Sequence, residues 1–251
     1  MQKIDERLKV QLAHRTIREF RPDRIPQPIF EQLMEVARRT ATSNGMQQYS
    51  IIRITDPNIK EAISEISHQS YIARAPELLI FIADQYRNAQ IAKEKSGESY
   101  HSSDMDHFFQ AFTDACLAAQ NVANASEQLG LGVMFLGSIH NDTEKLCALL
   151  KLPELTFPVV GMGIGYPNQS PQIKPRMPND LKIFDNYYHC FENYLSQIEP
   201  YDQEMLTYYD LRNANRRVDR FSDQVVTKAK MNIDARKAIL KTIKKQGFTD
   251  D

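Results

Sequence analysis

No apolar run in this 251-residue chain reaches the roughly 18 residues that a membrane-spanning helix needs. A soluble globular protein is the first expectation. Cysteine is scarce: Cys116, Cys147 and Cys190 are an odd number without paired spacing, and they read as reduced, small buried side chains rather than a disulfide framework. An apolar leader is also missing, since the opening Met1-Gln2-Lys3-Ile4-Asp5-Glu6-Arg7 continues in charge, which predicts a cytoplasmic location. The six histidines (14, 68, 101, 107, 140 and 189) form no i, i+4 pair and have no Cys or carboxylate neighbours at zinc spacing, so no metal site is expected. Ser43 lacks the glycines of a nucleophile elbow. Gly161-x-Gly163-x-Gly165 has the wrong spacing for a dinucleotide fingerprint and runs into Tyr166-Pro167 instead of a helix start. Those glycines read as points of close backbone packing.

What is present is basic. His14-Arg15-Thr16-Ile17-Arg18 and, far downstream, Lys174-Pro175-Arg176 look like two halves of a phosphate clamp, because guanidinium forks match phosphate oxygens and a lysine adds a point charge. Taken alone, the first cluster reads more readily as a basic turn between two helices, and the second as an exposed loop punctuated by Pro171, Pro175 and Pro178. The net charge of -1 conceals an asymmetry: Arg212 to Lys245 holds eleven Lys or Arg against three aspartates, on an otherwise acidic body. This tail is a solvated helical face, a site for a phosphorylated dinucleotide, or a nucleic-acid arm. With phosphate-binding groups but no nucleophile, metal or general-base signature, the economical reading is a cofactor that carries the reaction while the protein orients it.

Hydrophobic residues make up 42% of the chain, enough for a sizeable core. Periodicity predicts helices over Glu6 to Ala13, Pro28 to Arg39, Pro57 to Ile66, Asp104 to Leu129 and Asp142 to Leu150. Strands are predicted at Tyr49 to Thr55, Glu77 to Ala83, Gly132 to Leu136 and Phe157 to Gly165, and a loop from Ser96 to Ser103. Further helices are expected over Gln203 to Asn213 and Ala235 to Lys245. The mixture argues for an α+β or α/β sandwich. No linker divides the first 180 residues, so we expect one domain over 1–199 and a helical extension over 200–251 without a core of its own.

Four segments, in order, resemble motifs of the nitroreductase family: His14-Arg15-Thr16-Ile17-Arg18-Glu19-Phe20, Ala41-Thr42-Ser43-Asn44-Gly45-Met46-Gln47, Phe135-Leu136-Gly137-Ser138-Ile139-His140-Asn141, and Lys174-Pro175-Arg176-Met177-Pro178. The C-terminal Tyr208-Tyr209-x-x-Arg212-x-x-Asn215-Arg216-Arg217 is similar to the NADPH-recognition loop of its NADPH-dependent branch. The resemblance implies an α+β three-layer sandwich with a central, mostly antiparallel sheet flanked by helices, and a C-terminal extension wrapping a homodimer that holds FMN at the subunit interface. It places His14, Arg15, Thr16 and Arg18 in the opening FMN motif, with Arg15 on the phosphate and Arg18 near the polar edge of the ring. Lys174 and Arg176 match the other half of the phosphate clamp. Ser43, with Thr42 beside it, matches a position contacting the partner chain's cofactor, although Thr42, Asn44 and Gly45 depart from the usual serine run. Gln69 and Tyr71, otherwise surface positions where a helix meets a loop, match a pair near the ring. Leu136, Gly137 and Ser138 match a backbone segment beneath it, where Ser138 replaces a usual glycine.

The activity implied is a two-stage exchange in which NADPH supplies hydride to FMN and a small acceptor then removes it. Nitroaromatics, quinones, azo dyes and free flavin are the acceptors expected. Arg212 and Arg216 would hold the NADPH 2'-phosphate, each bond contributing about 1.5 to 3 kcal/mol. Two alternatives stay open: flavin reduction for a partner enzyme or a thiol redox substrate on the same scaffold, and a non-catalytic module whose basic arm binds nucleic acid. The acidic body and the lone Phe221 among the tail's charges count against the second.

Overall fold

In the computed structural model, which describes residues 5–98, 103–210, 216–231 and 234–249, the sheet is built around a strand with no exposed residue. That strand is β2 (Glu77–Asp84), buried along its whole length. It lies between β1 (Tyr49–Arg53) and β4 (Thr156–Gly165), and β3 (Gly132–Leu136) closes the order β1-β2-β4-β3, every neighbour antiparallel. Alternate side chains of a strand face opposite ways, so β2 feeds two cores at once. Leu79, Phe81 and Ala83 pack with α2 (Gln27–Arg38) and α5 (Met105–Gln128); Leu78, Ile80 and Ile82 pack with α3 (Pro57–Ser67) and α6 (Thr143–Leu149). Helix, sheet and helix make three layers of α+β type.

Local chemistry accounts for the element boundaries. The Asp104 carboxylate caps α5 by accepting the His107 amide at 2.9 Å, and Gly130, at φ 76°, adopts the left-handed conformation that ends it. Asp56 and Asp142 cap α3 and α6 in the same way. Ahead of the sheet, a 3₁₀ turn (Glu6–Leu8) leads into the short α1 (Lys9–Leu12). Two helices among the described residues have no counterpart in the pattern read from sequence: α4 (Tyr86–Ser96) and α8 (Phe221–Lys230), neither of which buries a residue.

The chain divides into two compact units, Met1–Gln169 with Ile233–Asp251, and Ser170–Asn232. The breaks between these units fall at 169/170 and 232/233. Aromatic packing explains the return of the C-terminus to the first unit: after α9 (Asp234–Lys237) and α10 (Ile239–Lys245), Phe248 is wholly buried 4.9 Å from the Phe108 ring. The basic tail is thus shared between units. In the second unit, α7 (Tyr194–Met205) and α8 (Phe221–Lys230) are clipped together by Asp202, which accepts the Ser222 amide at 2.9 Å and its hydroxyl at 2.5 Å. The helix predicted over Gln203 to Asn213 is corrected here. The observed helix ends at Met205, Thr207-Tyr208-Tyr209 favour extended chain, and β5 (Tyr209–Asp210) pairs antiparallel with β6 (Arg216–Arg217); positions 211–213 of the predicted helix lie outside the described residues. Cys147 is buried, but Cys116 is half-buried and Cys190 exposed, so only the first fits the expectation for all three.

Candidate functional site

The basic motif near the N-terminus crosses the open edge of β3. Thr16 bridges Val133, and the Ile17 amide donates to the Val133 carbonyl at 2.9 Å. Ile17 is buried where Gly132 lacks a side chain; a Cβ at Gly132 would stand 2.6 Å from Ile17 Cγ1. Phe20 uses Gly165 similarly, with 2.9 Å to a Cβ built there. The packing of Ile17 and Phe20 therefore fixes the path of half-buried Arg15, Thr16 and Arg18. His14 anchors the motif's start, its Nδ1 lying 2.6 Å from Glu127 Oε1 at the end of α5. Arg18 has no hydrogen bond or ion pair among the described residues. A half-buried cation left in that state is suited to an anionic or electron-rich ligand.

A second group forms where β3 ends. Leu136 lies in the core, Gly137 is exposed, and the Ser138 hydroxyl donates to Gln69 Oε1 at 2.8 Å. Gln69 follows the left-handed residue His68, φ 52°, which turns the chain out of α3. Tyr71 packs half-buried against the core under α3. The turn Gly137–Asp142 is gripped from both sides. Arg236, from α9, donates to the Gly137 carbonyl at 2.8 Å and to Asn141 Oδ1 at 3.2 Å. His140 Nε2 donates to the Val159 carbonyl at 2.8 Å, and burial, more than the nearby Arg236 charge, pushes its pKa below 6.5.

A third group is tied to α5. Thr42 leads into the 3₁₀ turn Ser43–Gly45, and Thr42 Oγ1 accepts the Gln47 amide at 3.2 Å. Asn44 and Gly45 have φ of 51° and 70°, conformations that asparagine and glycine tolerate and that explain two departures from a serine run. Asp114 Oδ1 accepts the Ser43 amide at 2.7 Å. In the second unit, Arg176 folds onto the carbonyls of Lys174, at 2.8 Å, and Pro175, at 3.3 Å, which the Tyr201 hydroxyl also meets at 3.3 Å. Arg212 lies outside the described residues; Arg216, on β6, pairs through its backbone with Asp210 on β5.

Sequence reasoning named Gln69 and Ser138 in separate motifs without foreseeing their contact, and missed Asp114, Glu127 and Arg236. Asp114 carried a signal: it is a carboxylate on an α5 face otherwise made of Ala111, Ala115 and Ala118. Arg236 carried none, being one cation among many. In the first unit, the described residues of these groups offer a guanidinium without a partner (Arg18), a side-chain amide (Gln69) and a hydroxyl (Ser138), a donor set suited to a polar ligand.

Residues 12–166 match the model of the Nitroreductase family, and residues 174–251 match that of the Nitroreductase family, C-terminal domain. The chain belongs to the nitroreductase family. It is an oxidoreductase by that membership, and an NADPH-dependent oxidoreductase of Staphylococcus saprophyticus is 35% identical to it over 243 residues, 94% of each protein. Among solved nitroreductase-fold structures, NfrA1 nitroreductase from Bacillus subtilis is 30% identical with a TM-score of 0.88, covering 98% of this chain and 100% of that one. The NADPH:FMN oxidoreductase from Vibrio harveyi complexed with NAD+ is 28% identical with a TM-score of 0.86, again over 98% and 100%. No helix among the described residues of this nitroreductase-family chain is long and apolar enough to cross a membrane.

Proposed function

We propose that this nitroreductase-family protein is a cytoplasmic, FMN-dependent homodimer that oxidises NADPH and reduces small electron-poor acceptors such as nitroaromatics, quinones, azo compounds or free flavin. The observation that carries the reading is Arg18, a half-buried cation with no partner among the described residues, on a backbone pinned to β3. Its donor chemistry fits the electron-rich edge of a flavin. FMN, when bound, supplies hydride acceptance from NADPH and delivery to the acceptor in two half-reactions. The protein's own part is binding and electrostatics. Arg15, with Lys174 and Arg176 by their match to the family motif, provides positive charge for the cofactor phosphate, and Arg18 is held for negative charge developing on the ring. His14 positions this motif through Glu127. The hydrogen-bonded Gln69–Ser138 pair, with the Gly137 backbone, Leu136 and Tyr71, is assigned to the ring by its match to the family motifs.

Arg212 and Arg216 are assigned to the NADPH 2'-phosphate on the same motif argument. Ser43 and Thr42 are assigned to the cofactor of the partner chain. A second copy also answers an energetic need, because Leu12 on α1, and Phe109 and Leu117 on α5, are about half exposed, and covering exposed apolar side chains stabilises association. Steady-state kinetics test the reading: double-reciprocal plots for NADPH at several fixed quinone concentrations should be parallel. Lines that intersect would contradict two half-reactions at one site.

A further inference from the structure

Asp114 sits in the middle of the longest helix, among alanines, and its side chain is completely shielded from solvent. An ionised carboxylate is tolerated in such a place only when hydrogen bonds replace its water. Oδ1 accepts the Ser43 amide at 2.7 Å and Oδ2 accepts the Gln48 amide at 3.0 Å. The two amides bracket a short segment holding three left-handed residues, Asn44, Gly45 and Gln47, with φ of 51°, 70° and 52°. Conformations of this kind persist only when their surroundings over-determine them. Around the carboxylate, the Gln48 side chain bonds to that of Gln85, which donates in turn to the His107 carbonyl at 2.9 Å. Arg87 holds the carbonyls of Gln47 and Tyr49 from the other side. Only a carboxylate presents two acceptor oxygens and no donor, so neither an amide nor an alanine can replace it.

We infer that Asp114 is a positioning residue for cofactor binding: it sets FMN affinity without touching FMN, by holding the Ser43 segment in its left-handed path through two charge-assisted hydrogen bonds. This rests on the FMN reading above and names what shapes one wall of that site. A purely structural role predicts lost stability alone. A positioning role predicts a change in the flavin's affinity and surroundings beyond what equal destabilisation produces.

The test compares Asp114→Asn, in which a donor faces an N–H group, with Ile63→Ala, which destabilises the opposite layer of the sheet. FMN is titrated into flavin-free protein by fluorescence, the visible circular dichroism of the bound flavin is recorded, and thermal midpoints are measured on the same samples. Asp114→Asn should weaken FMN binding about ten-fold or more and change the visible dichroism. Ile63→Ala should lower the midpoint while leaving both flavin signals at wild-type values. Asp114→Glu, which keeps the charge but moves both oxygens, makes the same comparison if the asparagine variant does not fold. Wild-type FMN affinity in the folded Asp114 variants, or an equal loss in Ile63→Ala, overturns the inference alone. A wild-type protein that takes up no FMN overturns the functional reading along with it.

Discussion

Arg15 and Arg18 flank Ile17, the buried residue whose packing against Gly132 fixes their backbone, and the two guanidiniums carry different tasks in the proposed function. Arg15→Ala should weaken FMN binding roughly 10- to 100-fold, the loss expected of a charge-assisted phosphate contact. Arg18→Ala should retain FMN but slow reduction by NADPH about 100-fold, as expected when charge stabilisation at the ring is removed. Flavin content after desalting and anaerobic stopped-flow rates separate the two. Equal cofactor loss in both variants would contradict the division. At this scale the family resemblance, more than the residues' own pattern, singled out Arg15, Arg18 and Ser138 as candidates. Asp114 was missed, because its role depends on the Ser43 amide 71 positions away, and the spacing of residues along a helix does not report what a distant loop will present.

At the scale of elements, the turn Gly137–Asp142 concentrates most of the second group. His140 is neutral there: its Nε2 proton goes to the Val159 carbonyl, and Thr143 Oγ1 stands 3.4 Å from Nδ1. Its pKa lies below the 6.5 of an unperturbed imidazole because burial disfavours the charged ring. The unfolded chain therefore binds the proton more readily, and stability should decline as pH falls from about 6.5 through the lower, folded-state pKa, then stop declining on this account. Thermal midpoints between pH 8 and 5 should show that loss in the wild type and a smaller one in His140→Gln. Identical profiles would mean that His140 does not titrate in this window. Strands such as β2 were legible because eight apolar or tightly paired positions leave few alternatives, and α5 because of its small-residue stripe and its caps. In contrast, α4 and α8 bury no residues, so nothing periodic distinguished them from charged loops.

For the whole molecule, the basic tail that first looked like one arm is divided: Arg220 pairs with Glu199 at 3.2 Å inside the second unit, while Lys245 pairs with Glu144 inside the first. Its charge is thus partly structural. Arg212→Ala with Arg216→Ala should raise the KM for NADPH sharply, by roughly 100-fold if each contact contributes as charge-assisted bonds do, with little change for NADH. Initial rates with both dinucleotides check this, and unchanged selectivity would remove the assignment. The measurement that bears most directly on the central claim is the anaerobic visible spectrum of the purified protein. Flavin bands should be present, bleach when NADPH is added, and return on addition of a nitroaromatic or a quinone. A colourless protein that takes up no added FMN, or bound FMN that NADPH leaves oxidised, would contradict the account.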